Sequence, residues 1–160
     1  MTLSKILRNT FLVITACLVL SACATKKVTV SDLGGQIQGD VYVGSDTVEY
    51  LASGVPDRVF FATNESILTT RSRDTLRKQA TWLRANSDIT VVLEGHADER
   101  GTREYNMALG EPRANSVADY MAINGIARYR IETVSYGEER PVAFGQSEAS
   151  YSKNRRVELK

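Results

Sequence analysis

The stretch Glu94–Val117 constrains the fold of this 160-residue chain more than any other, because it joins an apolar strand to a long helix. The strand is predicted over Ile89–Glu94, where side chains on alternate positions share one face. The helix is predicted from Thr102–Glu104 to Asn124–Gly125, since a glycine suits the position after a helix end. The segment between the two elements is polar, so its side chains lie where the strand gives way to the helix.

Two charged residues of this stretch, Asp98 in the loop and Arg113 on the helix, are predicted to form the two halves of one site. A guanidinium can hold a carboxylate through two parallel charge-assisted hydrogen bonds, and an aspartate can hold an ammonium. Together they suit a ligand that carries both charges, such as the free end of a diamino acid. The alternative is a simple surface ion pair, which contributes about 0–1 kcal/mol and binds nothing.

The predicted helix carries a second stripe beside its core-facing residues. Asn106, Leu109 and Arg113 follow one another at spacings of three and four, which places them on one face. That face is predicted to form one wall of a groove whose floor includes the loop at Asp98. Pro112 lacks an N–H and clashes with the preceding turn, so we expect the helix to kink there. The residues predicted to face the core are Met107, Ala114, Val117, Ala118 and Met121.

The predicted elements follow the order β-α-β-α-β-β along the chain. Leu76, Ala80 and Leu83 give the first helix one apolar stripe. The order predicts an α/β two-layer sandwich in which the helices pack on a mixed sheet. The remaining predicted elements are a strand at Val59–Phe61, a helix from Thr69 or Thr70 to Ala85, a strand at Ile131–Ser135, a short helical turn at Ser147–Lys153 and a last strand at Arg156–Leu159.

Residues 1–22 have the features of a secretory signal segment. Lys5 and Arg8 precede the apolar run Phe11–Leu20, which is too short for a comfortable transmembrane helix. The segment ends in Leu-Ser-Ala before Cys23, a pattern that resembles a bacterial lipobox, so Cys23 is predicted to carry lipid as the mature N-terminus. An ordinary secretory cleavage site is the alternative, because small residues precede the cut in both.

Removal of residues 1–22 changes the charge balance. Two of the 20 basic residues lie there, which leaves 18 basic against 19 acidic residues and argues against nucleic-acid binding. Cys17 also leaves, so no intramolecular disulfide is expected. Residues 23–55 contain several glycines and are predicted to form a flexible tether after the lipidated end. Residues 56–160 are predicted to form the folded domain.

Glu94, His96 and Asp98 occupy alternate positions, so a continued strand would place all three on one face. Such a cluster can bind zinc or perform acid–base chemistry. A catalytic zinc usually has three firm protein ligands, however, and the chain has only one histidine. We therefore expect no metal, no cofactor and no enzymatic activity, and we expect His96 to be a hydrogen-bonded residue at the strand end.

The motif GHADERGTREYN at residues 95–106, followed by LGEPRANSV at residues 109–117, closely resembles the core motif of the OmpA-like peptidoglycan-binding domain. The resemblance covers about residues 56–160 and implies the same sandwich fold. It implies non-covalent binding of the peptide stem of peptidoglycan, with Asp98 and Arg113 gripping diaminopimelate. The other residues implied to complete the pocket are Arg100, Gly101 and Thr102 through their backbone, and Asn106 and Leu109 through their side chains.

The resemblance also assigns a place to two further segments. Phe61, Ala62 and Thr63 lie in the segment that lines the peptide groove in this family, where acidic and aromatic residues are more usual. Ala62 and Thr63 depart from that pattern. Arg155 and Arg156 match a second family signature, and we expect them either to form structural ion pairs or to lie at the rim of the groove.

Finally, the resemblance implies a cellular place and partners. Lipid at Cys23 would hold the chain in the outer membrane, with the domain facing the periplasm. Lipidated members of this kind bind the propeller protein TolB, among the Tol proteins, through a surface that overlaps the wall-binding groove. Two alternatives stay open: a wall-anchoring lipoprotein that works outside the Tol system, and a chain that chiefly binds TolB.

Overall fold

Two long helices lie against a four-stranded sheet in the computed structural model, which describes residues 37–38 and 40–160. The elements in chain order are β1 (Ile37–Gln38), β2 (Val41–Tyr42), β3 (Tyr50–Ala52), β4 (Val55–Pro56), β5 (Arg58–Phe60), α1 (Thr70–Ala85), β6 (Val91–His96), α2 (Arg103–Ile123), a 3-10 turn (Arg128–Arg130), β7 (Ile131–Gly137), α3 (Glu148–Asn154) and β8 (Arg156–Leu159).

The main sheet has the strand order β5-β8-β6-β7. Strand β8 pairs antiparallel with both β5 and β6, whereas β6 and β7 run parallel. The last strand of the chain therefore inserts between β5 and β6. The predicted α/β sandwich on a mixed sheet is confirmed. Two short antiparallel pairs, β1-β2 and β3-β4, precede this sheet.

The core lies between the helices and the sheet and follows the predicted apolar stripes. Leu76 and Leu83 of α1, Met121 of α2 and Leu93 of β6 are all fully buried in one cluster. Met107 differs from the prediction, because it is only half-buried. It lies early in α2, where its carbonyl accepts a hydrogen bond from Ser135 Oγ of β7 at 2.7 Å.

Local sequence signals set most element ends. Thr69 caps α1 by accepting from the amide of Ser72 at 3.1 Å, and Thr102 caps α2 by accepting from Tyr105 at 3.2 Å. Strand β6 is shifted from its predicted bounds of Ile89–Glu94. The amide of Ile89 bonds to the carbonyl of Asn86, which places Ile89 in the turn after α1. At the other end, pairing with β7 extends β6 to His96.

Helix α2 passes close to β6 at a pair of glycines. A Cβ atom on Gly110 would lie 2.2 Å from Ser135 Oγ and 2.8 Å from the carbonyl oxygen of Gly95. Pro112 follows two residues later and is exposed, and the helix continues through it to Ile123. The helix is thus not interrupted at Pro112, and Arg113 follows directly in the same turn. The kink near Gly110–Pro112 stays a prediction.

The predicted signal segment, Cys23 and the tether up to residue 36 lie outside the described residues. Within 40–56, Tyr42 is buried and packs edge-to-face on Phe60 with ring centroids 4.7 Å apart. Lys153 of α3 lies 5.4 Å from the Tyr42 ring and pairs with Asp46 at 2.5 Å. This part of the predicted tether thus contacts the domain. Among the described residues, no helix is long and apolar enough to cross a membrane.

We expect Gly110→Ala to destabilise the domain. The added methyl would clash with Ser135 Oγ of β7 and with the Gly95 carbonyl of β6, which puts the cost near the upper end of about 1–3 kcal/mol and above the gain of about 1 kcal/mol in helix propensity. Urea denaturation measures the change in the free energy of unfolding. Glu111→Ala, at the next and exposed position, is the control and should change stability by less than about 0.5 kcal/mol. A Gly110→Ala variant as stable as the parent would contradict the close approach.

Candidate ligand-binding site

Asp98 lies just after β6, where its buried carboxylate receives four hydrogen bonds. Arg100 donates three of them, from its backbone amide at 3.1 Å, from Nε at 2.9 Å and from Nη2 at 2.7 Å. Arg155 donates the fourth, from Nη1 at 3.0 Å. Burial alone would raise the pKa of Asp98, but these bonds outweigh it and hold the pKa below the ordinary value of 3.8. Asp98 is therefore ionised at neutral pH, and its two oxygens already accept four hydrogen bonds.

Arg113 is fully buried on α2 and bonds only to backbone carbonyls among the described residues. Nε donates to Glu65 at 2.8 Å, Nη1 to His96 at 2.8 Å and Nη2 to Ala62 at 2.9 Å. Burial lowers the pKa of Arg113 to about 10, which still leaves it charged at pH 7. A guanidinium has five N–H groups, so two remain for another partner. No described carboxylate forms a salt bridge with it.

Asp98 and Arg113 do not form the simple surface ion pair that was the alternative, because each is buried and bonds elsewhere. They are connected through residues 61–65, which we call the 61–65 segment. Arg155 Nε donates to the carbonyl of Phe61 at 3.1 Å, and Arg113 bonds to Ala62 and Glu65 of the same segment. The structure thus brings the predicted groove residues Phe61, Ala62 and Thr63 together with both charged residues.

The 61–65 segment reaches the surface at its C-terminal end. Asn64 has a φ of 55°, in the left-handed region that asparagine tolerates better than most residues. Asn64 and Glu65 are exposed and lie over the buried Arg113. The exposed turn is therefore joined to the buried Arg113 by the hydrogen bond to the Glu65 carbonyl.

The side chain of Asn106 bonds to the backbone of the loop at Arg100–Thr102. The buried Asn106 amide donates to the carbonyl of Arg100 at 3.2 Å and to the carboxylate of Glu138. Gly101 has a φ of 107°, which strongly favours glycine. Asn106 thus shapes the loop beside Asp98. Leu109, predicted for the same wall, is half-buried one turn before Arg113.

Three residues of the site were missed or left undecided by the sequence. Arg155, which was expected either to pair structurally or to lie at the rim, is buried and bonds to Asp98. Asp40 also bonds to the segment: its Oδ2 accepts from the Thr63 amide at 2.6 Å, and its carbonyl accepts from Arg155. The hydrogen bond from Thr63 lowers the pKa of Asp40. Glu148 of α3 also accepts from Arg155.

Arg156 belongs to a different, structural group. Its Nε donates to Glu158 at 2.5 Å, and Arg58 pairs with Glu158 at 3.2 Å and with Asp57 at 2.7 Å, all of them buried. Burial alone would raise the pKa of Glu158, but bonds from Lys160 and Arg156 lower it to about 2. Of the two adjacent arginines, Arg155 therefore bonds to Asp98 of the candidate site, whereas Arg156 forms an ion pair within the sheet.

The expectation of a hydrogen-bonded His96 was wrong. The ring is buried, and neither nitrogen has a partner among the described residues. It stacks instead on Tyr136, with ring centroids 5.8 Å apart. Glu94 Oε2 lies 3.9 Å from Nε2, beyond hydrogen-bond distance, and Asp98 is engaged by arginines. The three residues therefore do not converge, and the described residues contain no cluster of metal-binding side chains.

Comparison with known proteins identifies the family of this chain. A model of the OmpA family matches residues 60–155, which include the 61–65 segment, Asp98, Arg113 and Arg155. This chain belongs to the OmpA family. The resemblance found in the sequence is thereby confirmed.

Individual relatives of this OmpA-family chain carry informative names. The peptidoglycan-associated lipoprotein of Mesorhizobium japonicum is 40% identical over 158 residues, which cover 97% of this chain and 93% of the relative. The crystal structure of the peptidoglycan-associated lipoprotein from Burkholderia pseudomallei has a TM-score of 0.63 and 36% identity, and covers 64% of this chain and 87% of that one. The cell wall anchor of the T6SS from Pseudomonas aeruginosa has a TM-score of 0.55 and 30% identity, with coverages of 70% and 83%.

We expect the buried His96 to make this OmpA-family domain less stable as the pH falls below 6.5. Burial, and then the positive charge of Arg156, lower its pKa from 6.5 to about 3, so only the unfolded chain binds a proton between these values. Stability is therefore present above pH 6.5 and lost on acidification, by about 2 kcal/mol between pH 7 and pH 5. Urea denaturation at several pH values measures the slope.

His96→Phe is the matched variant, because it keeps an aromatic ring beside Tyr136 and removes the titrating group. Its stability should change much less between pH 7 and pH 5, a window above the ordinary carboxyl pKa values. Equal slopes in the two proteins would show that His96 is not the group responsible.

Proposed function

We propose that this chain binds the peptide stem of peptidoglycan non-covalently and anchors the outer membrane to the cell wall. It is a binding protein and not an enzyme, as its family and relatives indicate. One observation carries the proposal: Arg113 is a buried cation that has no carboxylate partner among the described residues and keeps two unused N–H groups. A ligand carboxylate would supply the missing negative charge.

The energetics favour such a ligand. A buried charge is costly unless it is paired, and carbonyl dipoles compensate a guanidinium only in part. The ligand carboxylate would reach Arg113 at the exposed turn of Asn64 and Glu65, where it would accept from the two N–H groups that Arg113 leaves unused. The pairing would be charge-assisted and shielded from water, which makes it stronger than the same pair on a surface.

Asp98 supplies the opposite pole of the site. Its carboxylate stays ionised because two arginines lower its pKa. A ligand with an ammonium and a carboxylate at one end therefore meets Asp98 and Arg113 together. The free end of diaminopimelate carries both groups, whereas lysine lacks the second carboxylate. We propose that the chain distinguishes peptidoglycan stems by this carboxylate.

The finer cellular assignment is also a proposal. Lipid on Cys23 would fix the chain in the inner leaflet of the outer membrane, and residues after it would span the gap to the wall. As in the Tol–Pal system, the chain would bind TolB through the surface around Asp98 and the 61–65 segment. The similarity to peptidoglycan-associated lipoproteins supports this placement.

We expect the unlipidated mature chain, residues 23–160 with Cys23→Ser, to bind a diaminopimelate stem peptide at least tenfold more tightly than its lysine equivalent. The reason is that loss of one partner of a desolvated charge pair weakens binding by roughly 2–5 kcal/mol. Isothermal titration calorimetry with both peptides measures the difference. Equal affinities would mean that the extra carboxylate is not recognised and that Arg113 is misassigned.

Asp98→Asn tests the other charge of the site, because it keeps the shape of the side chain and removes its charge. It should lose most of the binding to the diaminopimelate peptide. Arg113→Ala is a poorer test, since truncation would also release three carbonyls and destabilise the domain. Glu132→Gln, an exposed carboxylate on β7, should leave binding unchanged.

We expect soluble diaminopimelate stem peptide to compete with TolB, because the proposed surfaces overlap. Fluorescence anisotropy of labelled TolB, titrated with the chain at rising peptide concentration, measures the competition. The apparent Kd for TolB should increase linearly with peptide concentration from its value without peptide. A ternary complex with unchanged TolB affinity would separate the two surfaces and reject the shared one.

A further inference from the structure

We propose that Arg100 is an internal stand-in for the ligand ammonium: it occupies Asp98 in the free protein and is displaced when a ligand binds. The proposal rests on the function proposed above and deepens it. It gives Arg100 a role in setting affinity and specificity that differs from its predicted backbone contribution to the pocket.

The hydrogen bonding of Asp98 leaves no room for an added ammonium. A carboxylate has about four acceptor positions, and the two oxygens of Asp98 already receive four donors. The guanidinium of Arg100 supplies two of them in a fork, at 2.9 and 2.7 Å. A ligand ammonium can therefore bind Asp98 only after one of the present donors leaves.

Exposure identifies Arg100 as the donor that leaves. The Arg155 side chain is only 1% exposed, and it also bonds to the carbonyl of Phe61 and to Glu148, so it is held from several sides. The Arg100 side chain is 43% exposed, and its other polar contacts are long, at 3.4 Å to Thr63 Oγ1 and 3.6 Å to Glu148. Arg155 is thus a permanent counter-ion and Arg100 an exchangeable one.

Helix α3 offers the displaced guanidinium a place to go. Glu148 Oε2 lies 3.6 Å from Arg100 Nη1, and the ring of Tyr151 lies 4.6 Å from the guanidinium carbon. A small rotation of the Arg100 side chain would exchange the carboxylate of Asp98 for that of Glu148 while keeping the ring contact. Displacement therefore does not leave a cation without a partner.

The exchange also bears on specificity. A neutral or anionic group cannot replace Arg100, because Asp98 would then lose a cationic donor without compensation. An ammonium restores the charge and the hydrogen bonds. Arg100 thus keeps Asp98 inaccessible to ligands that lack a cationic group, and a ligand must carry an ammonium to open the site.

The test is titration of the unlipidated mature chain and its variants with the diaminopimelate stem peptide. Removal of the internal competitor in Arg100→Ala should tighten binding about two- to fivefold, which corresponds to a partly exposed ion pair. Arg103→Ala, which removes another exposed arginine that pairs with Glu139, is the matched control and should change affinity little. Arg100→Gln serves as a second variant, and thermal unfolding checks that each protein is folded.

A second readout follows the side chain directly. The Nε–Hε resonance of Arg100, assigned by its loss in Arg100→Ala, should shift when the peptide binds to the parent chain, whereas that of Arg155 should stay. In addition, Glu148→Gln should weaken peptide binding more in the parent than in Arg100→Ala, because Glu148 receives the displaced guanidinium only when Arg100 is present, whereas its bond to Arg155 is lost in both.

The outcomes separate this proposal from the proposed function. Binding by the parent, lost in Asp98→Asn and tightened in Arg100→Ala, supports both. Binding that Arg100→Ala weakens or leaves unchanged, with Asp98→Asn still defective, overturns the displacement alone and makes Arg100 a direct ligand contact or a bystander. Absence of binding by the parent and by both Arg100 variants overturns both.

Discussion

Two buried guanidinium groups hold the 61–65 segment through its backbone carbonyls, and the geometry of the site depends on this clamp. Arg113 reaches the segment from α2, and Arg155 reaches it from the junction of α3 and β8. Both cations are taken out of water, which is costly unless their N–H groups are satisfied. Around Arg113 the carbonyls do this without adding negative charge, whereas Arg155 is also paired with the carboxylates of Asp98 and Glu148.

The contrast with Arg156 shows why this site suits an ionic ligand. Arg156 and Arg58 share the buried carboxylates of Glu158 and Asp57, so that network is closed and contributes to the sheet alone. Around Arg113 no described carboxylate closes the network. Arg130 is also buried and, within the described part of the chain, bonds only to backbone carbonyls, at the end of α1, so a missing carboxylate alone does not mark a ligand site. Arg113 differs from Arg130 because the segment it holds is also bound by Arg155, the partner of Asp98.

Local sequence signals predicted the elements well, because caps and apolar periodicity act over a few residues. The bounds of both long helices were predicted to within about two residues, from the possible caps at their starts and the apolar stripe of α1. The motif singled out Asp98 and Arg113. The hydrogen-bond partners of these two charged residues could not be predicted from local signals, because they lie far away in the sequence. Arg113 bonds to carbonyls 48 and 51 positions away, and Asp98 to a residue 57 positions away. Spacing likewise gave no sign that His96 lacks a hydrogen bond, since that depends on which elements cover it.

A site for a charged ligand must also be stable when it is empty, and Asp98 shows how this chain meets that requirement. An unpaired carboxylate at this depth would be pushed toward its neutral form, because burial raises its pKa. Arg100 and Arg155 reverse that effect and keep the negative charge in place. If one of these cations is held and the other is free to exchange, ligand binding swaps one charged donor for another. The carboxylate of Asp98 then keeps a cationic partner in both states, and the contact at Arg113 adds the second ion pair.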